Sequence, residues 1–169
     1  MRILIIGPSI KRSKGGTATV ISEHMANPII NKLNQLTCLE SHVDGNKFEK
    51  VYYLLNCIFH ILIYHRRYDI VHIHANSDIS LYRKTVLVRV SKWVNKKTFI
   101  QIHGHDFDSF YQNNKPWLKR YIKETLYKCD KVIVLSEYWK LFFDKEFNNL
   151  PVEILYNGLD VKAYEVSRR

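Results

Sequence analysis

RILIIGPSIKRSKGGTATV, residues 2–20, opens with four apolar residues, Ile3 to Ile6, after a single arginine. A strand buried on both faces of a parallel sheet reads this way. Gly7 and Pro8 end the run, a loop rich in glycine and positive charge follows, and helix-like residues begin near Thr17. A strand leading through such a loop into a helix often holds an anion, because the first backbone amides of a helix are unpaired and its dipole favours negative charge there.

The same alternation continues along the chain. Further strand-like runs are LTCLES (36–41), DIVHIH (69–74), TFIQIH (98–103), KVIVLS (131–136) and VEILYN (152–157). Helical patterns lie between them: TATVISEHMANPIINKLNQL, disturbed near Pro28, then 47–67, 79–95, 116–129 and 137–148. GHDFDSFYQNN reads as a polar loop, and Pro116 suits the first turn of the helix after it. The expectation is an α/β fold: a three-layer, Rossmann-like parallel sheet of about six or seven strands with helices on both faces. Ligands of such sheets sit beyond the carboxyl ends of the strands. Residues 7–17, 74–78, 103–110, 136–138 and 157–160 are therefore where function is expected.

With 169 residues, 46% hydrophobic and 25% charged, the chain has the size and composition of one globular domain. Its net charge of +10 favours an anionic partner. The three cysteines, Cys38, Cys57 and Cys129, are far apart, form no CxxC pair and sit in apolar surroundings, which suits reduced thiols in a cytoplasmic protein. The longest apolar stretch, YYLLNCIFHILIY (52–64), is 13 residues long and too short to span a bilayer.

The opening loop fits neither common nucleotide fingerprint. Gly7 is followed by Pro8 and Ser9 instead of the G-x-G-x-x-G spacing, and no Gly-Lys-Ser/Thr ends the loop. What remains is KGGTA at a helix start, where Gly15 and Gly16 allow close approach and positive φ and Thr17 can cap the helix. His72 and His74 share one face of a strand, either as a metal pair or as buried structural histidines. His103 ends a strand before Gly104, His105, Asp106 and Asp108, at a place suited to donating, accepting or shuttling a proton near neutral pH. Ser136-Glu137 is a good helix opening, and no G-x-S-x-G surrounds Ser136 to make it a hydrolase nucleophile.

Two stretches concentrate the positive charge. YRKTVLVRVSKWVNKK (82–97) carries Arg83, Lys84, Arg89, Lys92, Lys96 and Lys97 without an acid. KPWLKRYIKETLYK (115–128) interleaves Lys115, Lys119, Arg120, Lys123 and Lys128 with aromatics. Such helices suit an anionic membrane face or nucleic acid, or simply form a solvated surface. No RNA-binding or helix-turn-helix signature accompanies them, so nucleic acid is not the expected partner.

Taken in order, five pieces resemble the N-terminal domain of the retaining family-4 glycosyltransferases of two-domain GT-B fold. They are RILIIGP…KGGTATV, YDIVHIH, IQIHGHDF, CDKVIVLSEYWKLFF and VEILYNGLDVKAY, and they span nearly the whole chain. The resemblance implies transfer of a sugar, of hexosyltransferase type, from a nucleotide-sugar to a lipid-linked or polysaccharide acceptor. It implies no metal or other cofactor. Gly15, Gly16 and Thr17 would meet the donor diphosphate. His103 would lie beside the transferred sugar as a hydrogen-bonding group more than as a proton-abstracting base. Asp106, Ser136 and Glu137 would line the acceptor side, and Asn157 and Gly158 would form the hinge.

Residues 1–160 would then be the acceptor-side domain and 161–169 the start of a linker. A second domain beyond them would hold most of the nucleotide-sugar, and the first domain alone would be inactive. The expected place is the cytoplasm, at the inner face of the plasma membrane. Two other readings stay open on the residues: a non-enzymatic flavodoxin-like or nucleic-acid-binding module, and a metal hydrolase using His72, His74, His103 and His105.

Overall fold

The computed structural model describes residues 1–157 apart from 14, 44–46, 78 and 105. Six strands form one all-parallel sheet: β1 (Arg2–Pro8), β2 (Gln35–His42), β3 (Ile70–Ala75), β4 (Lys97–Ile102), β5 (Lys131–Val134) and β6 (Val152–Ile154). Their order is β2-β1-β3-β4-β5-β6, with β1, β3, β4 and β5 inside the sheet. Seven helices connect them: α1 (Gly16–Ala26), α2 (Pro28–Leu33), α3 (Lys47–Tyr64), α4 (Ile79–Trp93), α5 (Phe107–Asn113), α6 (Pro116–Leu126) and α7 (Glu137–Glu146). This is the Rossmann-like three-layer arrangement that the alternating pattern demands.

The pleat divides each strand between two unlike faces. Leu4, Ile6, Val71, Ile73, Ile100, Ile102, Val132 and Val134 turn one way, into a continuous core with side chains from α3, α4, α5, α6 and α7. The other face carries His72 and His74 on β3 and is covered by α1. A methyl on Gly7 would lie 2.1 Å from Ile21 Cδ1, and the His24 ring centroid is 6.1 Å from that of His74. The thicker side is mainly hydrocarbon; the thinner side holds the imidazoles.

Local chemistry sets the breaks. The helical run after Thr17 divides at Asn27, whose side chain accepts hydrogen bonds from the amides of Ile29 (2.9 Å) and Ile30 (3.2 Å), with Pro28 in the first turn of α2. The expected polar loop at 104–114 is instead largely the helix α5. Of its three aromatic side chains, Phe107 and Tyr111 lie one turn apart and stack at 6.1 Å between centroids. Both are buried, Phe107 against Phe143 at 4.9 Å and Tyr111 against Phe147 at 5.1 Å. Tertiary burial, not composition, makes this segment helical.

The cysteines are all free: Cys57 and Cys129 are buried, Cys38 half-buried. Burial pushes the Cys57 thiol up to about 11 and the Cys129 thiol to about 12, so neither is a nucleophile at neutral pH. Among the described residues no helix is long and apolar enough to cross a membrane.

Candidate functional site

Because all strands are parallel, the loops at their carboxyl ends gather at one edge of the sheet. A cleft of about 470 Å³ lies there, bounded by residues from the loops after β1, β3, β4, β5 and β6. Gly16 and Thr17 form one side at the start of α1; His103, Gly104 and Asp106 come from the turn after β4. Asn76 and Ser77 follow β3, and Leu135 and Asn157 complete the wall.

Several cross-links fix this geometry. Thr17 Oγ1 donates to Asn76 Oδ1 at 3.1 Å and so ties the start of α1 to the β3 turn. Ser77 Oγ donates to Asp106 Oδ1 and ties the β3 turn to the β4 turn. The amide of His103 donates to the Ala75 carbonyl at 2.8 Å. Gly104 passes so close to Ser77 that a Cβ there would fall 1.9 Å from Ser77 Oγ and 2.6 Å from its backbone nitrogen. The glycine is therefore needed for close approach.

The opposite holds at the start of α1. Gly15 is the N-cap in an extended conformation with φ −176°, and a Cβ on Gly15 or Gly16 would meet nothing within 4 Å. No described glycine has a positive φ, so the expected left-handed backbone does not occur. Thr17 is not the cap either: it lies inside the first turn and spends its hydroxyl on Asn76. The amides of Ala18 and Thr19 reach the Gly15 carbonyl at 3.0 and 3.2 Å. Those of Gly16 and Thr17, which a helix cannot satisfy internally, stand at the cleft. Gly15 itself sits just outside it.

Behind the cleft runs a row of imidazoles. His72 and His74 have centroids 4.5 Å apart, and His74 stacks on His103 at 5.0 Å with 22° between planes. The Nδ1 of His74 and the Nε2 of His103 share a hydrogen bond of 2.8 Å. Burial lowers the pKa of His103 to about 4 and of His72 to about 3, and drives that of His74 well below its ordinary value. All three rings are neutral at pH 7. The cause is desolvation, which disfavours the charged form. A neutral His103 tied to His74 through Nε2 has Nδ1 as its remaining polar atom, suited to a hydrogen bond more than to taking a proton.

Of the other residues singled out from sequence, Ser136 and Glu137 do not reach the cleft wall. Ser136 caps α7, its Oγ accepting from the Trp139 amide at 3.4 Å, and Glu137 accepts from the Tyr156 hydroxyl at 3.3 Å. His105 and Gly158 lie outside the described residues. Among the described residues no three His, Cys, Asp or Glu side chains are arranged to hold a metal ion. Asn76, Ser77, Gly104 and Leu135 were not anticipated as site residues, although Asn76 and Ser77 directly follow a strand in the window 74–78.

The basic stretch 82–97 is less exposed than its sequence implies. Lys84 is buried and donates to Ser41 Oγ, and desolvation lowers its pKa to about 7. Arg89 lies over the Tyr121 ring at 4.3 Å and donates to Thr125 Oγ1. Lys92 pairs with Asp130 at 2.8 Å, and Lys96 donates to the Tyr68 carbonyl at 3.0 Å. Lys84, Arg89 and Lys92 fasten α4 to its neighbours, Lys96 fastens the turn after it, and together they do not form one open face.

The family model described as Glycosyltransferase Family 4 matches residues 13–163, nearly the whole chain. No curated protein matches it.

Proposed function

The chain belongs to glycosyltransferase family 4, and from that premise we propose that its cleft works in sugar transfer from a nucleotide-sugar to a lipid-linked or polysaccharide acceptor. The observation that carries the proposal is the shared cleft. The amide end of α1 at Gly16 and Thr17 and the neutral ring of His103 border one hollow at the carboxyl edge of the sheet.

Each group has a part that suits its chemistry. Gly16 and Thr17 offer unpaired amides and the positive end of a helix to the donor diphosphate, and bare glycines let the phosphates come close. Gly15 leaves that approach open from outside the cleft. His103 holds a hydroxyl of the transferred sugar through a neutral ring nitrogen, oriented by its bond to His74. Asp106, held by Ser77, faces the acceptor. Ser136 and Glu137 shape the acceptor side indirectly, through the start of α7. The residues present meet the diphosphate with amides, and no metal is invoked.

In this reading residues 1–160 are the acceptor-side half of a two-domain enzyme, with the hinge at Asn157 and Gly158. The second half would carry most of the nucleotide-sugar, and turnover would need the positioning that the facing domain supplies. The enzyme works in the cytoplasm against the inner face of the plasma membrane, in polysaccharide synthesis.

The test is His103→Ala in the two-domain enzyme. Removing a positioned hydrogen-bonding group from an active site costs on the order of a hundredfold in turnover. Turnover is expected to fall by about that much while the fold, followed by circular dichroism, survives, and unchanged turnover would remove His103 from the reaction.

A further inference from the structure

Helix α3 is apolar on the side that faces away from the protein. Its inner side is ordinary core: Cys57 and Ile61 are buried against the sheet. Its outer side shows Phe48, Val51, Tyr52, Leu55, Phe59 and Ile63, each at least half exposed, up to 86% for Phe48. These positions recur every three or four residues and form one stripe about 23 Å long at 1.5 Å per residue. No Lys, Arg, Asp or Glu occurs between Val51 and Tyr64.

The charges at the two ends of the stripe have one sign in excess. Arg12 is exposed beside its start, reaching the Tyr53 hydroxyl at 3.3 Å and Glu49 at 3.7 Å, and Lys11, next to it in the chain, is exposed too. Arg66 and Arg67 are exposed just past its end.

We propose that α3 is a membrane-docking face: the helix lies in the plane of an anionic bilayer, with its stripe among the acyl chains and its basic ends on lipid phosphates. An apolar strip this long, flanked by cations and rigidly held along its other side, has the form of an interfacial helix and not of a spanning one. A second copy of the chain fits less well. Parallel or antiparallel pairing of two such stripes sets basic ends against basic ends. The inference refines the membrane part of the function proposed above and not its chemistry, so the vesicle assay and the turnover test fail separately.

The assay is flotation of the 169-residue chain with vesicles of phosphatidylcholine alone or mixed with phosphatidylglycerol. Partitioning is expected only with the anionic vesicles. The variant L55Q/F59Q, altered at two exposed positions, is expected to keep its melting temperature and lose partitioning on the order of tenfold or more. R66E/R67E is expected to lose a similar factor, each cation near such a surface being worth about fivefold. K123E/K128E, exposed on α6 and just past its end, is expected to bind as the parent does. Equal binding to neutral vesicles overturns the proposal, as does L55Q/F59Q binding unchanged. A dimer in sedimentation that L55Q/F59Q dissolves also overturns it, by making the stripe a contact between copies.

Discussion

Replacing Gly104 with alanine tests whether the cleft is built on close backbone approach. The added methyl would fall 1.9 Å from Ser77 Oγ, 2.3 Å from its Cβ and 2.6 Å from its backbone nitrogen. The hydroxyl alone can rotate away, but the backbone nitrogen cannot, so the β3 and β4 turns must separate. Overpacking of this kind costs about 1–3 kcal/mol. Moving Ser77 also breaks its hydrogen bond to Asp106, worth about 1–2 kcal/mol more. The sum, roughly 2–5 kcal/mol, lowers the melting temperature by about 5–15 °C for a chain of this size.

Gly16→Ala is the control. It has open space around the new methyl and lies in the first turn of α1, so alanine should be neutral or stabilise by up to about 1 kcal/mol. Thermal and urea unfolding followed by circular dichroism measure both. If Gly104→Ala melts within a degree of the parent, or Gly16→Ala is the worse of the two, the contact between the turns is not what the structure shows.

Acid should weaken the fold through the imidazole row. Between the ordinary histidine value of 6.5 and about 4, unfolded chains bind a proton at this position that folded His103 refuses, so stability falls as pH drops through that window. His72 extends the effect toward about 3. A loss on the order of a few kcal/mol is expected in urea titrations between pH 7 and 4.5, shallower in His103→Gln; equal slopes would show that the ring is not buried neutral. Phe107→Ala should cost about 3–5 kcal/mol, because it empties the centre of an aromatic cluster. A loss below 1 kcal/mol in urea unfolding would mean α5 is not packed as described. Asp130→Ala should cost about 1–3 kcal/mol by stripping the buried Thr98 amide of its 2.7 Å acceptor and Lys92 of its partner. Unchanged unfolding would make the pair incidental.

The central strands were legible because their runs are mostly apolar and β-branched: Ile3–Ile6 and Val132–Val134 are continuous, and in β3 only the two histidines interrupt Ile70, Val71 and Ile73. Pro28 and Ser136 were legible because a missing amide and a hydroxyl acceptor act locally. Helix α5 was not, since its burial rests on a few aromatics set among polar residues, and only Phe143 and Phe147, distant in sequence, show where Phe107 and Tyr111 go. Lys84 looked solvated because charge in a sequence carries no direction, whereas the phase of α4 turns this lysine inward. Asn76 and Ser77 acquire meaning only from Thr17 and Asp106 across the cleft. His103 was visible as a residue, but its neutrality depends on desolvation, which no spacing reveals.

The central claim is that the amide end of α1 and the β4 turn hold one ligand together. Titrating the ¹⁵N-labelled chain with a panel of nucleotide-sugars, and with inorganic pyrophosphate alone, addresses it directly. The account predicts that the same ligand shifts the amide signals of Gly16, Thr17 and Gly104 and the ring nitrogens of His103, with pyrophosphate moving the first two alone. Shifts confined to another surface, or Gly16 and His103 responding to different ligands, would contradict it.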